Sequence, residues 1–112
     1  MKDTYLTPKL KEGQEVDLSK YNPRQRTNIR LYGLDNINWT PANVYEYKMR
    51  WLPDGERVRV SDWRTATKWC KENLFMQDWH INKYAEPDDT HHLFFKKAEE
   101  AMLFKLSVDI CL

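Results

Sequence analysis

The segment after Pro41 alternates between two hydrophobic periods, and this alternation limits the possible folds more than any other feature of the chain. Apolar residues at every second position indicate a half-buried strand, whereas a repeat of about 3.6 residues indicates an amphipathic helix. The pattern predicts, in chain order, a hairpin, a helix, a second hairpin, a second helix and a closing strand. A chain of 112 residues is long enough to bury a core without disulfides or metal ions.

The first predicted hairpin joins residues 44–51 to residues 57–60 through the turn-forming sequence LPDGE. Residues 44–51 alternate in polarity, as expected for a strand with one buried face. The apolar face of this run has four members: Tyr45, Tyr47, Met49 and Trp51.

A helix is predicted after the first hairpin, because Ser61 is a suitable N-cap and Asp62 suits the positive end of the helix dipole. A rotation of 100° per residue places the core residues on one face. They are Trp63, Ala66, Thr67, Cys70 and Leu74. Trp69 falls outside this face, so we expect it to pack under the N-terminal segment or to contact a partner.

The second hairpin is predicted around the sequence AEPDD, which contains Pro87, Asp88 and Asp89 as turn formers. A second helix is predicted over 96–107, and residues 108–112 alternate like a closing strand. The complete order predicts an α+β fold, a ferredoxin-like (split βαβ) two-layer sandwich. In such a fold two helices cover one sheet face and leave the other face open.

Residues 1–41 show neither hydrophobic period, and four turn formers interrupt them. We therefore expect an extended or partly ordered N-terminal arm over 1–41 and a compact α+β domain over 42–112. Only residues 28–34 resemble a strand. The arm contains the basic run KYNPRQRTNIR, which has no acidic residue and is either a solvated stretch or a phosphate-binding segment.

The overall charge argues against a general attraction to nucleic acid or to anionic membranes. The chain has 18 basic and 17 acidic residues, which gives a net charge of +1. No apolar run approaches bilayer length and the N-terminus lacks a signal-peptide pattern, so we expect a cytoplasmic protein without membrane contact. Five Trp, six Tyr and four Phe are many for this length, and aromatic residues suit both cores and interfaces.

The sequence contains no recognisable catalytic or metal-binding signature. His91 and His92 are adjacent, so they point to opposite faces of a strand and cannot both join His80 in one metal site. The carboxylates of Glu86, Asp88 and Asp89 lie in the predicted hairpin loop, where solvent keeps them poorly suited to acid catalysis. Cys70 lies on a core face, where a thiol is usually unreactive. We therefore expect a protein that is not an enzyme and that uses no cofactor or metal.

The sequence HHLFFKKAEEA, residues 91–101, resembles the third strand and second helix of RNA-recognition motifs. Proteins of that family stack bases on aromatic residues of their central strands. The resemblance lacks the glycine of the family's strand pattern. Phe94 and Phe95 face opposite sides, so the resemblance implies at most one stacking residue, and ordinary core and surface packing is the alternative.

The C-terminal pattern FF…AEEAMLFKL is similar to the ends of small uncharacterised proteins of tailed phages. This resemblance implies an accessory or virion role and assigns a function to no residue.

The expected function is the binding of another protein, or self-association, through an aromatic-rich surface and the arm. The residues expected to make this contact are Tyr45, Tyr47, Trp51 and Trp69. The apolar residues of the last helix cover more than half of its circumference, which also favours a partner. The alternative function is single-stranded nucleic-acid binding. It would use Arg24, Arg26, Arg30 and Phe94.

Overall fold

The computed structural model describes residues 16–82 and 87–112, and within them it is an α+β protein. Its helices and strands, in chain order, are α1 (Pro23–Tyr32), α2 (Pro41–Trp51), β1 (Glu56–Val60), α3 (Trp63–Asn73), β2 (Trp79–Ile81), β3 (His91–Phe95) and α4 (Ala98–Ser107). Short 3-10 turns connect them at Leu18–Lys20, Leu34–Asn36, Leu52–Asp54 and Met76–Asp78. The predicted fold class is confirmed at this level.

The three strands form an antiparallel sheet in the order β1-β3-β2. The pairing of β2 with β3 confirms the second predicted hairpin. The predicted closing strand is reduced to a single bridge between Val60 and Cys111. Two hydrogen bonds flank this bridge, from Ser61 N to Ile110 O (3.0 Å) and from Leu112 N to Arg59 O (2.9 Å). Consequently β1 lies between β3 and the C-terminal segment.

One face of the sheet packs against α3 and α4 and forms the core. Its largest fully buried side chains are Phe95, Phe104, Ile29, Leu93, Val60 and Cys70. The ring of Phe104 lies 5.3 Å from that of Phe95, which joins α4 to the central strand. Burial confirms the predicted core face of α3 for Ala66, Thr67, Cys70 and Leu74.

Two details of α3 differ from the prediction. Asp62, and not Ser61, is the N-cap, because its carboxylate accepts hydrogen bonds from the backbone N–H groups of Arg64 (3.0 Å) and Thr65 (3.3 Å). Trp63 is 45% exposed, so its place in the predicted core face is wrong. It is the first residue of the helix, and its half-exposed ring lies 6.2 Å from that of His91 in β3.

The prediction of a strand at residues 44–51 is wrong, because these residues belong to α2. Pro41 occupies the first position of that helix, and Thr40 and Asn43 form a capping box (Asn43 N to Thr40 Oγ1, 3.3 Å; Thr40 N to Asn43 Oδ1, 2.9 Å). The period of two was ambiguous, since Tyr47 and Trp51 are also one helical turn apart. The first predicted hairpin is therefore absent, and β1 pairs with β3 instead.

The prediction that the segment before Pro41 lacks regular structure is wrong for residues 23–32, which form α1. Asn22 and Gln25 form its capping box, with Pro23 at the first helical position. The helix buries few residues, Asn28 and Ile29, and so short an apolar face produces no readable period. Residues 28–34 are therefore not a strand.

The segment between α1 and α2 is fixed by Asn28 and Gly33. The Asn28 side-chain amide donates to the backbone oxygens of Ile37 (2.7 Å) and Trp39 (2.9 Å). Gly33 ends α1 with a φ of +93°. The first fifteen residues of the predicted arm lie outside the described residues, and the predicted boundary at 41/42 falls in the first turn of α2.

Candidate functional site

The sheet face opposite α3 and α4 carries the polar side chains of the strands. We call it the open face, and its strand residues are Arg57, Arg59, His80, His92 and Phe94. Strand alternation places these residues away from the buried Val58, Leu93 and Phe95. The two arginines are exposed, the histidines and Phe94 are partly exposed, and none of the five is a carboxylate.

Phe94 lies at the centre of the open face because β3 is the middle strand of the sheet. The guanidinium carbon of Arg57 is 5.5 Å from the centroid of its ring. The rings of His80 and His92 lie 6.4 Å and 6.5 Å from it. A partly exposed aromatic ring is thus surrounded by one cation and two imidazoles, an arrangement that suits a flat, electron-rich ligand.

Residues of the β2–β3 connection hold Arg59 in place near the C-terminal end of β1. Its guanidinium pairs with the carboxylate of Asp88, and its Nε donates to Thr90 Oγ1 at 3.2 Å. A hydrogen bond from the Thr90 hydroxyl (2.6 Å) lowers the pKa of Asp88, and the charge of Arg59 adds to this effect. Asp88 is therefore an ionised partner of Arg59 and poorly suited to acid catalysis, while Glu86 lies outside the described residues.

The four aromatic residues predicted to bind a protein lie in different environments. Tyr45 is 67% exposed. The Tyr47 ring packs 5.3 Å from the Trp39 ring, and Lys96 Nζ lies 4.3 Å from the centroid of the Tyr47 ring. Trp51 is partly buried beside Gly55, where an added Cβ would lie 3.0 Å from the indole.

Trp69 completes this set, and its ring meets that of Phe104 edge-on at 5.4 Å. It therefore packs against the core as a flanking residue of α3. Of the four aromatic residues, Tyr45 is thus the one whose side chain is largely available to a partner.

The three arginines predicted to contact phosphates lie on α1 and not in an extended arm. Arg24 is exposed, whereas Arg26 and Arg30 are partly buried, and Arg30 Nη2 donates to Thr27 Oγ1 at 3.3 Å. Helix α1 packs against the turn Met76–Asp78. Phe94 belongs to the open face, so the residues of this alternative lie in separate elements.

A groove of about 400 Å³ lies between α3 and β2, next to the open face. Its lining comes from α2, α3, the turn Met76–Asp78, β2 and the residue after β2. Lys48 of α2 reaches it, with Nζ 5.4 Å from the centroid of the Trp79 ring. Burial lowers the pKa of Lys48 to about 8, and the charge of Asp78 opposes this shift.

Further ionisable groups lie behind this groove and connect α4 to the start of β2. Asp78 Oδ2 lies 3.9 Å from Lys97 Nζ, and burial raises the pKa of Asp78 against the effect of that lysine. Burial also raises the pKa of Glu100 to about 7, and the charge of Asp78 adds to the rise. The attraction between Lys97 and Asp78 links the start of α4 to the Met76–Asp78 turn, whereas the carboxyls of Asp78 and Glu100 repel each other when both are ionised.

The described histidines, cysteines and carboxylates do not form a metal site. Within residues 16–82 and 87–112, no three His, Cys, Asp or Glu side chains converge so that they could hold a metal ion. His91 is buried on the core side and His92 lies on the open face, which confirms their predicted opposite orientations. Cys70 and Cys111 are free, and burial raises the pKa of the Cys70 thiol.

Comparisons of the chain with protein-family models, with curated proteins and with solved structures found no match. Among the described helices, none combines the length and the apolar character needed to pass through a bilayer. The site is therefore interpreted from its own geometry and chemistry.

Sequence reasoning identified Phe94 but missed its neighbours on the open face. The alternation of the RVRV run already placed Arg57 and Arg59 on one side of a strand. Their relation to Phe94 depends on the pairing register, which joins Arg57 to Phe94 and His80 to Phe94. Register between distant strands is not contained in either local pattern, so this cluster could not be assembled from the sequence.

Proposed function

We propose that this protein binds single-stranded nucleic acid through the open face. The observation that carries the proposal is the position of Phe94, which is partly exposed at the centre of the sheet with Arg57 beside its ring. Single-strand binders combine aromatic rings, on which bases stack, with cations that follow the phosphate backbone. The open face supplies both in one place.

The arrangement of the elements from β1 onwards supports this proposal. Strand β1, α3, β2, β3, α4 and the C-terminal segment follow each other in the order of a split βαβ fold. The sheet order β1-β3-β2, with the C-terminal segment beside β1, agrees with that topology. RNA-recognition motifs use the open face of such a sheet to stack two or three bases.

The charge distribution favours weak and largely stacking-driven binding. Asp88 offsets the charge of Arg59, and the whole chain carries a net charge of only +1. Arg57 is therefore the main cation available near Phe94. Few phosphate contacts release few counterions, so the affinity should depend only moderately on salt concentration.

The proposal is tested with short single-stranded DNA and RNA oligonucleotides and with two pairs of variants. Phe94→Leu should weaken binding roughly 5-fold to 100-fold, since stacking contributes about 1–3 kcal/mol per base. Arg57→Gln should reduce the salt slope by about one unit. The matched controls are Tyr45→Leu, an exposed aromatic of α2, and Arg50→Gln, an exposed arginine of the same helix.

Equal affinities for Phe94→Leu and Tyr45→Leu would contradict the proposal, as would the absence of oligonucleotide binding by the unaltered protein. If Arg57→Gln keeps the full salt slope, Arg57 does not contact a phosphate. Each variant changes an exposed or partly exposed side chain, so folding should be unaffected.

Binding of another protein, or self-association, is the second candidate function. The exposed surface of α4 supports it. The helix exposes three large apolar residues: Met102, Leu103 and Leu106. Exposed apolar helix faces of this kind mark contacts with other proteins. The partner would then contact these residues of α4 and not the aromatic residues predicted from the sequence. With either partner, the phage role implied by the C-terminal pattern remains a proposal.

A further inference from the structure

The groove between α3 and β2 follows the free edge of the sheet. Strand β2 is an edge strand, and its consecutive residues point to opposite faces. The groove is nevertheless lined by residues of both faces. Trp79 and Ile81 come from the covered face, whereas His80 and Asn82 come from the open-face side. The described lining thus includes four consecutive residues along the edge strand.

The groove therefore borders the open face at His80. His80 belongs to both, because it lines the groove and its ring lies 6.4 Å from that of Phe94. A strand of nucleic acid stacked on Phe94 would thus pass the mouth of the groove when it crosses β2.

The walls of the groove are mainly apolar and include two indole rings. Trp63 and Trp79 supply the rings, and Met76 and Ile81 complete the apolar lining. Trp63 is 45% exposed, which is unusual for so large an apolar side chain in a helix that faces a core. Flat aromatic walls suit a planar ligand that can stack against them.

The polar groups around these walls suit a ligand with hydrogen-bonding edges and negative charge. The Thr67 hydroxyl, which donates to Arg64 O at 3.1 Å, can accept a hydrogen bond, and the Asn82 amide has both donor and acceptor atoms. Lys48 and Lys71 are cationic, and none of the described lining residues is a carboxylate. Trp79 Nε1 is buried and has no hydrogen-bond partner among the described residues.

We propose that the groove holds one nucleotide of the bound strand, an inference that rests on the proposed function of the open face. The base would stack against the exposed indole ring of Trp63, and its phosphate would lie near Lys48 and Lys71. A volume of about 400 Å³ falls in the range typical of small-ligand pockets. An aliphatic ligand would use neither the lysines nor Asn82, so a planar anion accounts for more of the lining.

The first experiment titrates the full chain with AMP, CMP, GMP and UMP and follows binding by Trp fluorescence and by NMR of the His80 ring. Lys71→Gln should weaken binding roughly 3-fold to 10-fold, the range for one accessible charge contact. The matched control is Lys68→Gln, because Lys68 is an exposed lysine of the same helix that does not line the groove. Tyr45→Leu, which changes an exposed aromatic of α2 outside the groove, should leave mononucleotide binding unchanged.

The second experiment uses oligonucleotides that carry one abasic residue at successive positions. Loss of the base that enters the groove should weaken binding in the unaltered protein and should matter less in Trp63→Leu. The proposal for the groove would be refuted if oligonucleotide binding depends on Phe94 but does not respond to Lys71→Gln, to Trp63→Leu or to any abasic position. The proposed function of the open face would then still hold.

Two further outcomes distinguish the proposal for the groove from the proposal for the open face. Mononucleotide binding that depends on Lys71, in a protein that binds no oligonucleotide, would support the groove and remove the proposed function. Binding of an acidic extended peptide along β2, with no response to millimolar nucleotides, would overturn the nucleotide proposal in favour of a protein partner.

Discussion

Arg57 and Phe94 face each other directly across the β1–β3 pairing, with 5.5 Å between the guanidinium carbon and the ring centroid. At an exposed site such a cation–π contact contributes only about 0.5–1 kcal/mol to stability. Function and folding can therefore be separated at this pair. Arg57→Gln and Phe94→Leu should each lower the free energy of unfolding by about 1 kcal/mol or less, measured by urea denaturation. A larger loss would mean that the pair supports the fold.

Helix α4 should show opposite responses on its two faces. Phe104 is fully buried between β3 and α3, so Phe104→Ala should cost roughly 3–5 kcal/mol of unfolding free energy. Leu106 is 80% exposed, and Leu106→Gln should change stability by no more than about 0.5 kcal/mol.

The same α4 variants test protein association by sedimentation. If the exposed face binds a second copy, Leu106→Gln should lower the mass at high protein concentration without loss of stability. A monomeric mass for both forms would restrict this surface to a different partner protein.

The buried carboxyl of Glu100 should make stability depend on pH. Burial raises its pKa from 4.5 to about 7, so the folded protein binds this proton more tightly than the unfolded chain. Its contribution to stability is therefore complete below pH 4.5 and is lost as the pH rises through about 7. The groups around it are Asp78, Cys70, Lys96, Lys97 and Glu99.

Glu100→Gln should remove this part of the pH dependence, because the amide does not titrate. The measurement is the free energy of unfolding between pH 4 and pH 8 in roughly half-unit steps, within the window set by the pKa shift. Glu72→Gln changes an exposed carboxylate of α3 that is not among the groups around Glu100, and it should retain the wild-type profile. Identical profiles for wild type and Glu100→Gln would show that this carboxyl is solvated in the folded protein.

The two cysteines should differ in reactivity. Cys70 is fully buried and its pKa is raised by burial, so it should react with a thiol reagent only when the protein opens. Cys111 is partly exposed and should react first. The rates are measured by mass spectrometry on Cys111→Ser and Cys70→Ser variants. Fast labelling of Cys70 in the native protein would indicate a reactive thiol.

Gly33 should tolerate a side chain poorly because of its backbone conformation. Its φ of +93° and ψ of 164° lie in a region that only glycine adopts readily. The nearest atoms to an added Cβ, in the Phe75 ring, are 3.6 Å away, so steric contact is not the problem. Gly33→Ala should therefore cost about 1–3 kcal/mol through backbone strain.

The opposite substitution provides the control for Gly33. Asp89 has a φ of +64°, so Asp89→Gly relieves an unfavourable backbone and should be neutral or slightly stabilising. Thermal melting of both variants gives the comparison. An unchanged melting temperature for Gly33→Ala would mean that the α1–α2 connection can adopt another backbone conformation.

Sequence patterns predicted the elements that bury a continuous apolar face. Helix α3 and the β2–β3 hairpin followed from such patterns, since Cys70, Leu74 and Leu93 all contribute to one core. The error at residues 44–51 arose because a period of two and a helical repeat coincide at Tyr47 and Trp51. The capping box at Thr40 and Asn43 was the local signal that favoured the helix.

The candidate site was less predictable than the fold because it depends on contacts between distant residues. Phe94 could be named as an outward-facing aromatic, but its pairing with Arg57 depends on strand register. The groove depends on the packing of α3 against β2, which brings Lys71 close to Trp79. No local period contains that information, because the period sets which face is buried and not what lies beside it.

The position of β1 between β3 and the C-terminal segment has a consequence for how the chain folds during synthesis. Val60 pairs with His91 on one side and with Cys111 on the other, and both partners leave the ribosome after it. Until they emerge, β1 has two unpaired edges and an exposed Val58, which makes it a binding site for chaperones or for β1 of another nascent chain. Shortening the chain before Cys111 should therefore prolong this vulnerable state, even though few buried residues are removed.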